Sequence, residues 1–241
     1  GSLIAKYAIE RLPIDSPATK VWLRSDLGVT LDTGAVATWE DQSGYANHFV
    51  QGTPERRPTV ITADTDYGYD SISFSGANSL YKALNLGGSS LFIVGKMVTP
   101  AGYLIYAYVS GTNYLWLHGS GAVGNAITER HGGVTAAKND SVDWALSTVP
   151  KTINMNYDGT MAGLDLYLNG VAESLTTVTS GNPGPAKVLR TYGLMGSLIA
   201  ENCSTGTIAE VIILSTIFDV GVDAATRVWL EDYLKARYLH Y

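Results

Sequence analysis

Short runs in which apolar and polar residues alternate, separated by turn residues, make up most of this chain. Residues 164–168 place a leucine at every second position, which is the period of a strand with one buried face. Asn169-Gly170 follows and suits the positive φ angles of a two-residue hairpin turn. Residues 206–214 form a nearly continuous apolar run, as expected of a strand covered on both faces. The pattern predicts an all-β fold of short strands.

Two further patterns complete the predicted layout. Residues 103–109 and 114–118 are strand-like runs joined by the turn segment 110–113, so they predict a hairpin. Near the C-terminus, apolar residues recur at helical spacing from Asp223 to Tyr238. We expect this closing helix to cover one end of a β-sandwich.

The composition fits one large domain. The chain has 241 residues, of which 46% are hydrophobic and 16% are charged, so it can build a sizeable core. Pro13 and Pro17 interrupt the N-terminal segment, and Gly1-Ser2 resembles an expression scar. We therefore expect residues 1–19 to be a tag scar with a linker or entering segment, and residues 20–241 to form the domain.

Charge and hydropathy argue against two classes of partner, and the cysteine content excludes an internal disulfide. The net charge is −6 and the pI is about 5.1, whereas nucleic-acid binders usually carry a basic face. The sequence has no run of about 18 apolar residues that would span a membrane. Cys203 is the single cysteine, so an internal disulfide is excluded. We expect neither nucleic-acid binding nor membrane insertion, while a neutral glycan remains compatible.

Five segments carry a combined sequence signature. They are Trp39-Glu40-Asp41-Gln42-Ser43-Gly44 with Asn47-His48, residues 71–80, residues 165–170, residues 206–212, and the closing residues Leu230, Tyr233, Leu234, Ala236, Arg237 and Tyr238. In their order along the chain they resemble the LamG-like, concanavalin A-like jelly-roll domains of bacteria and phages. Ser75 stands where that family usually has an acidic residue. The resemblance covers residues 20–241. It implies an all-β, two-sheet antiparallel jelly-roll sandwich with a C-terminal helix.

Most of the matched residues have expected structural roles. Asp41 is expected to cap backbone N–H groups of its turn. Glu210 lies between apolar neighbours in a strand, so we expect a buried and hydrogen-bonded carboxylate. Trp22 and Trp39 are expected in the core.

The patterns of catalytic relatives on this fold are absent. Their retaining glycosidases carry Glu-x-Asp-x-x-Glu on one strand, and Glu210 has no carboxylate two or four residues away. No G-x-S-x-G elbow marks a serine nucleophile, and the four histidines form no H-x-x-x-H pair for zinc. Arg130-His131 is interpreted as an exposed loop. We predict that the protein is not an enzyme.

A candidate ligand surface lies on the predicted 103–118 hairpin. Tyr106, Tyr108, Trp116 and His118 fall on alternate positions, opposite an aliphatic side formed by Ile105, Leu115 and Leu117. If the aliphatic side is core, the aromatic side lines a sheet face or groove, where rings can stack on a sugar. The alternative is that these aromatic residues are themselves core. Trp144 is a further candidate for ligand contact.

The segment 139–144 is the best candidate for a metal site. Asn139, Asp140 and Asp143 offer the amide and carboxylate oxygens that calcium prefers. Two carboxylates in one loop are few ligands, so a solvated turn is the alternative interpretation.

These observations leave three functional hypotheses. The first is a non-catalytic module of a larger extracellular, adhesin or virion protein that binds a glycan or cell-surface polysaccharide. The second is a structural or assembly module of a phage tail or capsid, such as a receptor-binding or decoration protein, with other virion subunits as partners. The third is a polysaccharide hydrolase or lyase. The first two place the protein outside the cell, at a cell surface or in a virion.

Overall fold

The computed structural model describes residues 13, 16–86, 88–98, 102–110, 113–118, 126–131, 134–140, 149–158, 163–180, 189–196, 203–215 and 224–238. Within these ranges the strands are β1 Thr19–Arg24, β2 Val29–Asp32, β3 Ala35–Trp39, β4 Phe49–Val50, β5 Thr59–Asp64, β6 Tyr69–Ser75, β7 Leu80–Leu86, β8 Ser89–Met97, β9 Tyr103–Ser110, β10 Asn113–His118, β11 Ala126–His131, β12 Val134–Asp140, β13 Lys151–Tyr157, β14 Leu164–Leu168, β15 Val171–Ala172, β16 Leu175–Ser180, β17 Leu189–Leu194 and β18 Thr205–Leu214. A short 3₁₀ turn spans Pro54–Arg56, and helix α1 is Ala224–Tyr238.

The strands form two antiparallel sheets. Sheet 1 has the order β15-β14-β13-β8-β18-β6-β5, and β1 also pairs with β18. Sheet 2 has the order β16-β12-β11-β10-β9-β17-β7-β4-β3-β2. The predicted 103–118 hairpin is confirmed as β9–β10. The predicted two-sheet sandwich with a C-terminal helix is therefore the observed architecture.

The core fills the space between the two sheets. Val211 and Ile213 of sheet 1 belong to the same buried cluster as Ile105, Leu115 and Leu117 of sheet 2. Trp39 is also fully buried there, as predicted. Removing this apolar surface from water stabilises the sandwich by roughly 25 cal/mol for each Å² buried.

Strand β18 is covered on both faces, which explains its unbroken apolar sequence. Val211 and Ile213 face the core between the sheets. Ile212 and Leu214 alternate with them and belong to a second buried cluster, on the outer face of sheet 1. The expectation of a doubly covered strand is confirmed.

Helix α1 provides that outer cover. Leu230, Leu234 and Tyr238 are buried against Phe92 and Val94 of β8. The prediction that the helix covers one end of the sandwich was wrong, because it lies on a sheet face. The reason is that β8 is apolar at every position from 91 to 94, so its outer residues also need shelter from water.

The N-terminal matched segment forms a turn around a buried carboxylate, as predicted. Asp41 Oδ1 accepts hydrogen bonds from the backbone N–H groups of Trp22 (2.8 Å) and Ser43 (2.9 Å). Its Oδ2 accepts from the Asn47 N–H at 2.9 Å and from the Ser43 hydroxyl at 2.7 Å. The turn between β3 and β4 is thereby fixed to β1 of the other sheet.

The predicted Asn-Gly turn is also confirmed. Asn169 has a φ of 51° and Gly170 a φ of 83°, the left-handed pair that a two-residue hairpin turn requires. The turn sets Leu168 opposite Val171 in the β14–β15 register. Arg130-His131, interpreted as a loop, instead belongs to β11, paired with β10 and β12 on either side.

Candidate functional site

The outer face of sheet 2 carries the aromatic positions singled out in the sequence. Ile105 and Ala107 of β9 point into the core, and so do Leu115 and Leu117 of β10. Because successive strand residues lie on opposite faces, the residues between them belong to the outer face. Tyr106 is one of these, and its side chain is half-buried rather than part of the core.

One cross-strand row on this face is unusually aromatic. The register sets Trp116 of β10 opposite Tyr106 of β9, which lies opposite Gly193 of β17. Gly193 in turn lies opposite Tyr81 of β7, a second half-buried tyrosine. The row therefore reads Trp, Tyr, Gly, Tyr across four strands. We call this row, together with its neighbour, the aromatic face.

The neighbouring row extends the same face. It sets Tyr114 opposite Tyr108, Tyr108 opposite Thr191, and Thr191 opposite Ala83. On the next strand outward, Arg130 of β11 lies opposite Tyr114. Two adjacent rows thus bring four aromatic positions onto β9 and β10.

The middle of the first row holds a backbone group in place of a side chain. A Cβ atom on Gly193 would lie 2.6 Å from the Gly196 carbonyl oxygen, so only glycine fits there. The ring of Tyr106 also lies 5.5 Å from that of Tyr103, at an interplanar angle of 38°. The Gly196 backbone therefore lies over Gly193, between the Tyr106 and Tyr81 positions of the row, and both glycines are buried.

Three of the five predicted ligand residues lie on the aromatic face. Tyr106, Tyr108 and Trp116 share the aromatic face by register, and His118 lies opposite Tyr103 at the end of the β9–β10 pair. Trp144 lies outside the described residues. Tyr114 was missed although it shares the alternation of Trp116. Tyr81 was missed because it joins the face only through β17, across a strand order that local patterns do not reveal.

Two residues of the predicted calcium loop lie in a strand instead of a loop. Asn139 and Asp140 end strand β12, opposite Thr176 and Leu175 of β16, so the prediction of a loop was wrong for both. As consecutive strand residues they belong to opposite faces of sheet 2, a poor arrangement for holding one ion together. Asp143 lies outside the described residues. Within the described ranges, no group of three His, Cys, Asp or Glu residues is placed to hold a metal ion.

Glu210 is a buried and hydrogen-bonded carboxylate, as predicted. Its side chain is 0% exposed. Oε1 accepts a hydrogen bond from Trp22 Nε1 at 2.7 Å, and Oε2 accepts one from the Tyr238 hydroxyl at 2.6 Å. Arg237 Nε lies 3.3 Å from Oε2, and the same guanidinium pairs with Asp26 at 2.6 Å. Glu210 thus joins β18 to β1 and to helix α1.

Stability should depend on pH through this carboxylate. Burial raises the pKa of Glu210 above its ordinary value of 4.5, and this effect exceeds the opposing hydrogen bonds from Tyr238 and Trp22. A folded-state pKa above the unfolded one favours folding most below the unfolded value, and this contribution falls as pH rises through the folded pKa. We expect the free energy of unfolding of the wild type, minus that of Glu210→Gln, to decrease as the pH rises from about 4 towards neutrality.

Chemical denaturation of both proteins across that pH range measures this difference. The subtraction matters because the Arg24 and Arg237 guanidinium groups lower the pKa of Asp26, which contributes with the opposite sign. A difference that is flat or that grows with pH would contradict the assignment.

Comparison with known proteins supports the fold. No family model and no curated protein matches the chain. Among solved structures, domain 4 of AbnA, a GH43 extracellular arabinanase from Geobacillus stearothermophilus in complex with arabinotriose, is similar with a TM-score of 0.58 and 12% identity. The match covers 83% of this chain and 94% of that one. No described helix is long and apolar enough to cross a membrane.

Two toxin domains show the same likeness. The botulinum neurotoxin type G receptor-binding domain has a TM-score of 0.57 and 12% identity over 90% of this chain. The binding domain of Paraclostridial Mosquitocidal Protein 1 has a TM-score of 0.53 and 10% identity over 92%. This chain spans 51% and 52% of those two chains. The likeness confirms the sandwich fold implied by the LamG-like resemblance, while membership of that family stays a prediction.

Proposed function

We propose that the protein is a non-catalytic carbohydrate-binding module of a larger extracellular, adhesin or virion protein, and that the aromatic face is its ligand surface. The observation that carries this proposal is the row of Trp116, Tyr106, Gly193 and Tyr81 across four strands of sheet 2. Aromatic rings stack on the apolar face of a pyranose or furanose, and polar groups between them accept its hydroxyl protons.

The fold relatives support a binding role. Domain 4 of the arabinanase was solved with arabinotriose, and the two toxin domains are named for receptor binding or binding. The net charge of −6 favours a neutral glycan over an acidic polysaccharide, because like charges repel at long range. A neutral oligosaccharide is therefore the proposed ligand class.

The position of Glu210 supports the non-catalytic part of the proposal. A glycosidase needs a carboxyl group that reaches the scissile bond. Glu210 is fully buried, and both of its oxygens already accept hydrogen bonds from the protein. Glu210 therefore stabilises the contact of β18 with β1 and α1 and has no free oxygen for a substrate.

A glycan array on the purified domain, followed by calorimetry with the best neutral oligosaccharide, tests the proposal. We expect binding, and we expect Tyr106→Ala and Trp116→Ala each to weaken it by about tenfold or more, because each removes one stacking ring. Running the array with calcium and with EDTA tests whether the ion predicted at Asn139, Asp140 and Asp143 contributes.

Tyr69→Ala is the matched control. Tyr69 is also a half-buried strand tyrosine, but it packs on the opposite outer face, beside Tyr238. Circular dichroism establishes that each variant is folded. A blank array, or equal binding by the Tyr106→Ala variant and the wild type, would overturn the proposal.

An assembly role in a phage tail or capsid is the second candidate, and one surface favours it. Leu27, Leu31 and Ile61 are exposed apolar side chains near the outermost strands β2 and β5. Leu27 and Leu31 line an open cavity of about 300 Å³ together with Val60. Edge strands offer unpaired backbone groups to another chain. A stable oligomer in analytical ultracentrifugation, combined with a blank glycan array, would favour this role.

A further inference from the structure

A second cavity lies on the opposite side of the molecule from the aromatic face, between helix α1 and the β14–β15 turn. Its volume is about 370 Å³, within the range of small-molecule sites. Its wall comes from three elements, namely strand β13, the β14–β15 turn and helix α1. The lining residues are Thr152, Asn169, Gly170, Arg227, Val228, Glu231, Asp232 and Lys235.

The charged part of this wall is preorganised. Arg227 Nη1 lies 2.8 Å from both carboxylate oxygens of Glu231, one helical turn further along α1. The guanidinium also stacks on the Tyr167 ring of β14, with its carbon 4.2 Å from the ring centroid. These contacts fix both groups, so they present hydrogen-bonding edges to a ligand with little loss of side-chain freedom.

One buried hydroxyl in the wall has no partner. Thr152 is 2% exposed, and its Oγ1 has no hydrogen-bond partner within the part of the chain that the structure describes. Its backbone is already satisfied, because the Thr152 N–H donates to Asn169 Oδ1 and its carbonyl accepts from the Asn169 N–H. A buried hydroxyl without a partner is costly, and a turn of the Thr152 side chain toward the cavity would let a ligand hydroxyl satisfy it.

The balance of charge indicates the class of ligand. The two cations Arg227 and Lys235 are matched by the two carboxylates of Glu231 and Asp232. A charged ligand would therefore meet an equal and opposing set of groups, whereas a ligand with many neutral hydroxyls finds both donors and acceptors. Val228, an exposed apolar side chain in the same wall, offers contact to the C–H face of a sugar ring.

We propose that this cavity binds one unit of a neutral polyhydroxylated ligand, a monosaccharide or the end of an oligosaccharide, with Thr152, Asp232 and Lys235 as hydrogen-bonding groups. The site is separate from the aromatic face and does not depend on it. Because the two sites lie on opposite sides of the molecule, a protein with both would bind two separate glycan chains.

Titration of the ¹⁵N-labelled protein with D-glucose, D-galactose, D-mannose and L-arabinose tests this inference. We expect saturable amide shifts at Thr152, Gly170 and Lys235 with at least one of these sugars. Thr152→Val keeps the shape and removes the hydroxyl, so it should weaken binding by about fivefold. Asp232→Asn, at an exposed helix position, should weaken it similarly without affecting folding.

Control variants distinguish binding in this cavity from binding at the aromatic face, and non-sugar ligands test whether the cavity selects sugars. Thr62→Val alters an exposed threonine beside the other cavity and should leave the titration unchanged. Tyr106→Ala should also leave it unchanged, so the two sites can fail independently. Shifts confined to the aromatic face, full affinity in the Thr152→Val variant, or saturation by glycine or phosphate but by no sugar would each overturn the inference.

Discussion

Replacement of Glu210 by alanine is expected to lower the free energy of unfolding by about 3–5 kcal/mol. The change leaves the buried Trp22 indole N–H and the Tyr238 hydroxyl without their acceptor. It also removes the carboxylate next to the Arg237 guanidinium, which is left with Asp26. Each orphaned buried donor costs about 1–3 kcal/mol, so the sum is large for one side chain. Urea denaturation followed by tryptophan fluorescence measures it.

Two companion variants make this result specific. Glu210→Gln keeps an acceptor of the same shape, so its loss should be smaller than that of alanine. Asp165→Ala removes a carboxylate from an exposed strand position and should change stability by no more than about 0.5 kcal/mol. A cost of Glu210→Ala as small as that of Asp165→Ala would contradict the structural role of Glu210.

Replacement of Asp41 by alanine is expected to cost about 3 kcal/mol, for a related reason. Its carboxylate accepts from the N–H groups of Trp22, Ser43 and Asn47, which belong to a strand of sheet 1 and to the turn between two strands of sheet 2. Alanine removes all three bonds at once. Water can reach only part of this turn, so the lost bonds are not fully replaced.

The adjacent Glu40 provides the matched control. Its side chain is exposed and makes one long contact, to the Thr30 hydroxyl at 3.4 Å, so Glu40→Ala should have little effect on the denaturation midpoint. Asp41→Asn keeps one oxygen acceptor and should fall between the two. If Asp41→Ala and Glu40→Ala unfold at the same urea concentration, the turn does not depend on the carboxylate.

Much of the fold was predictable because its signals are local. The alternation in 164–168 and the Asn169-Gly170 turn specify a hairpin without reference to the rest of the chain. The apolar run of β18 indicated cover on both faces, but not what covers it. The position of α1 depends on the outer residues of β8, more than 120 residues earlier in the chain, and therefore required the tertiary structure.

The candidate sites could likewise be predicted only where a local pattern defines them. Alternation within β9 and β10 sufficed to group Tyr106 with Tyr108 and Trp116. Tyr81 enters the same row only because β17 lies between β9 and β7, which no local pattern encodes. In 139–140, polar residues resembled a loop, although β11 and β16 provide hydrogen-bonding partners on both sides of β12. The cavity beside Thr152 arises from the packing of α1 near the β14–β15 turn and has no sequence signature.

The pairing of β18 also bears on how the chain reaches its native state. One edge of this strand pairs with β8, while the other is shared by β6 and β1, and Trp22 meets Glu210 across a separation of 188 residues. Such distant pairings slow folding, because the chain must close a long loop before the contacts form. During synthesis, the centre of sheet 1 cannot assemble until Leu214 has left the ribosome. Any shorter nascent chain also lacks α1, so the outer apolar face of β8 stays open to chaperones or to aggregation.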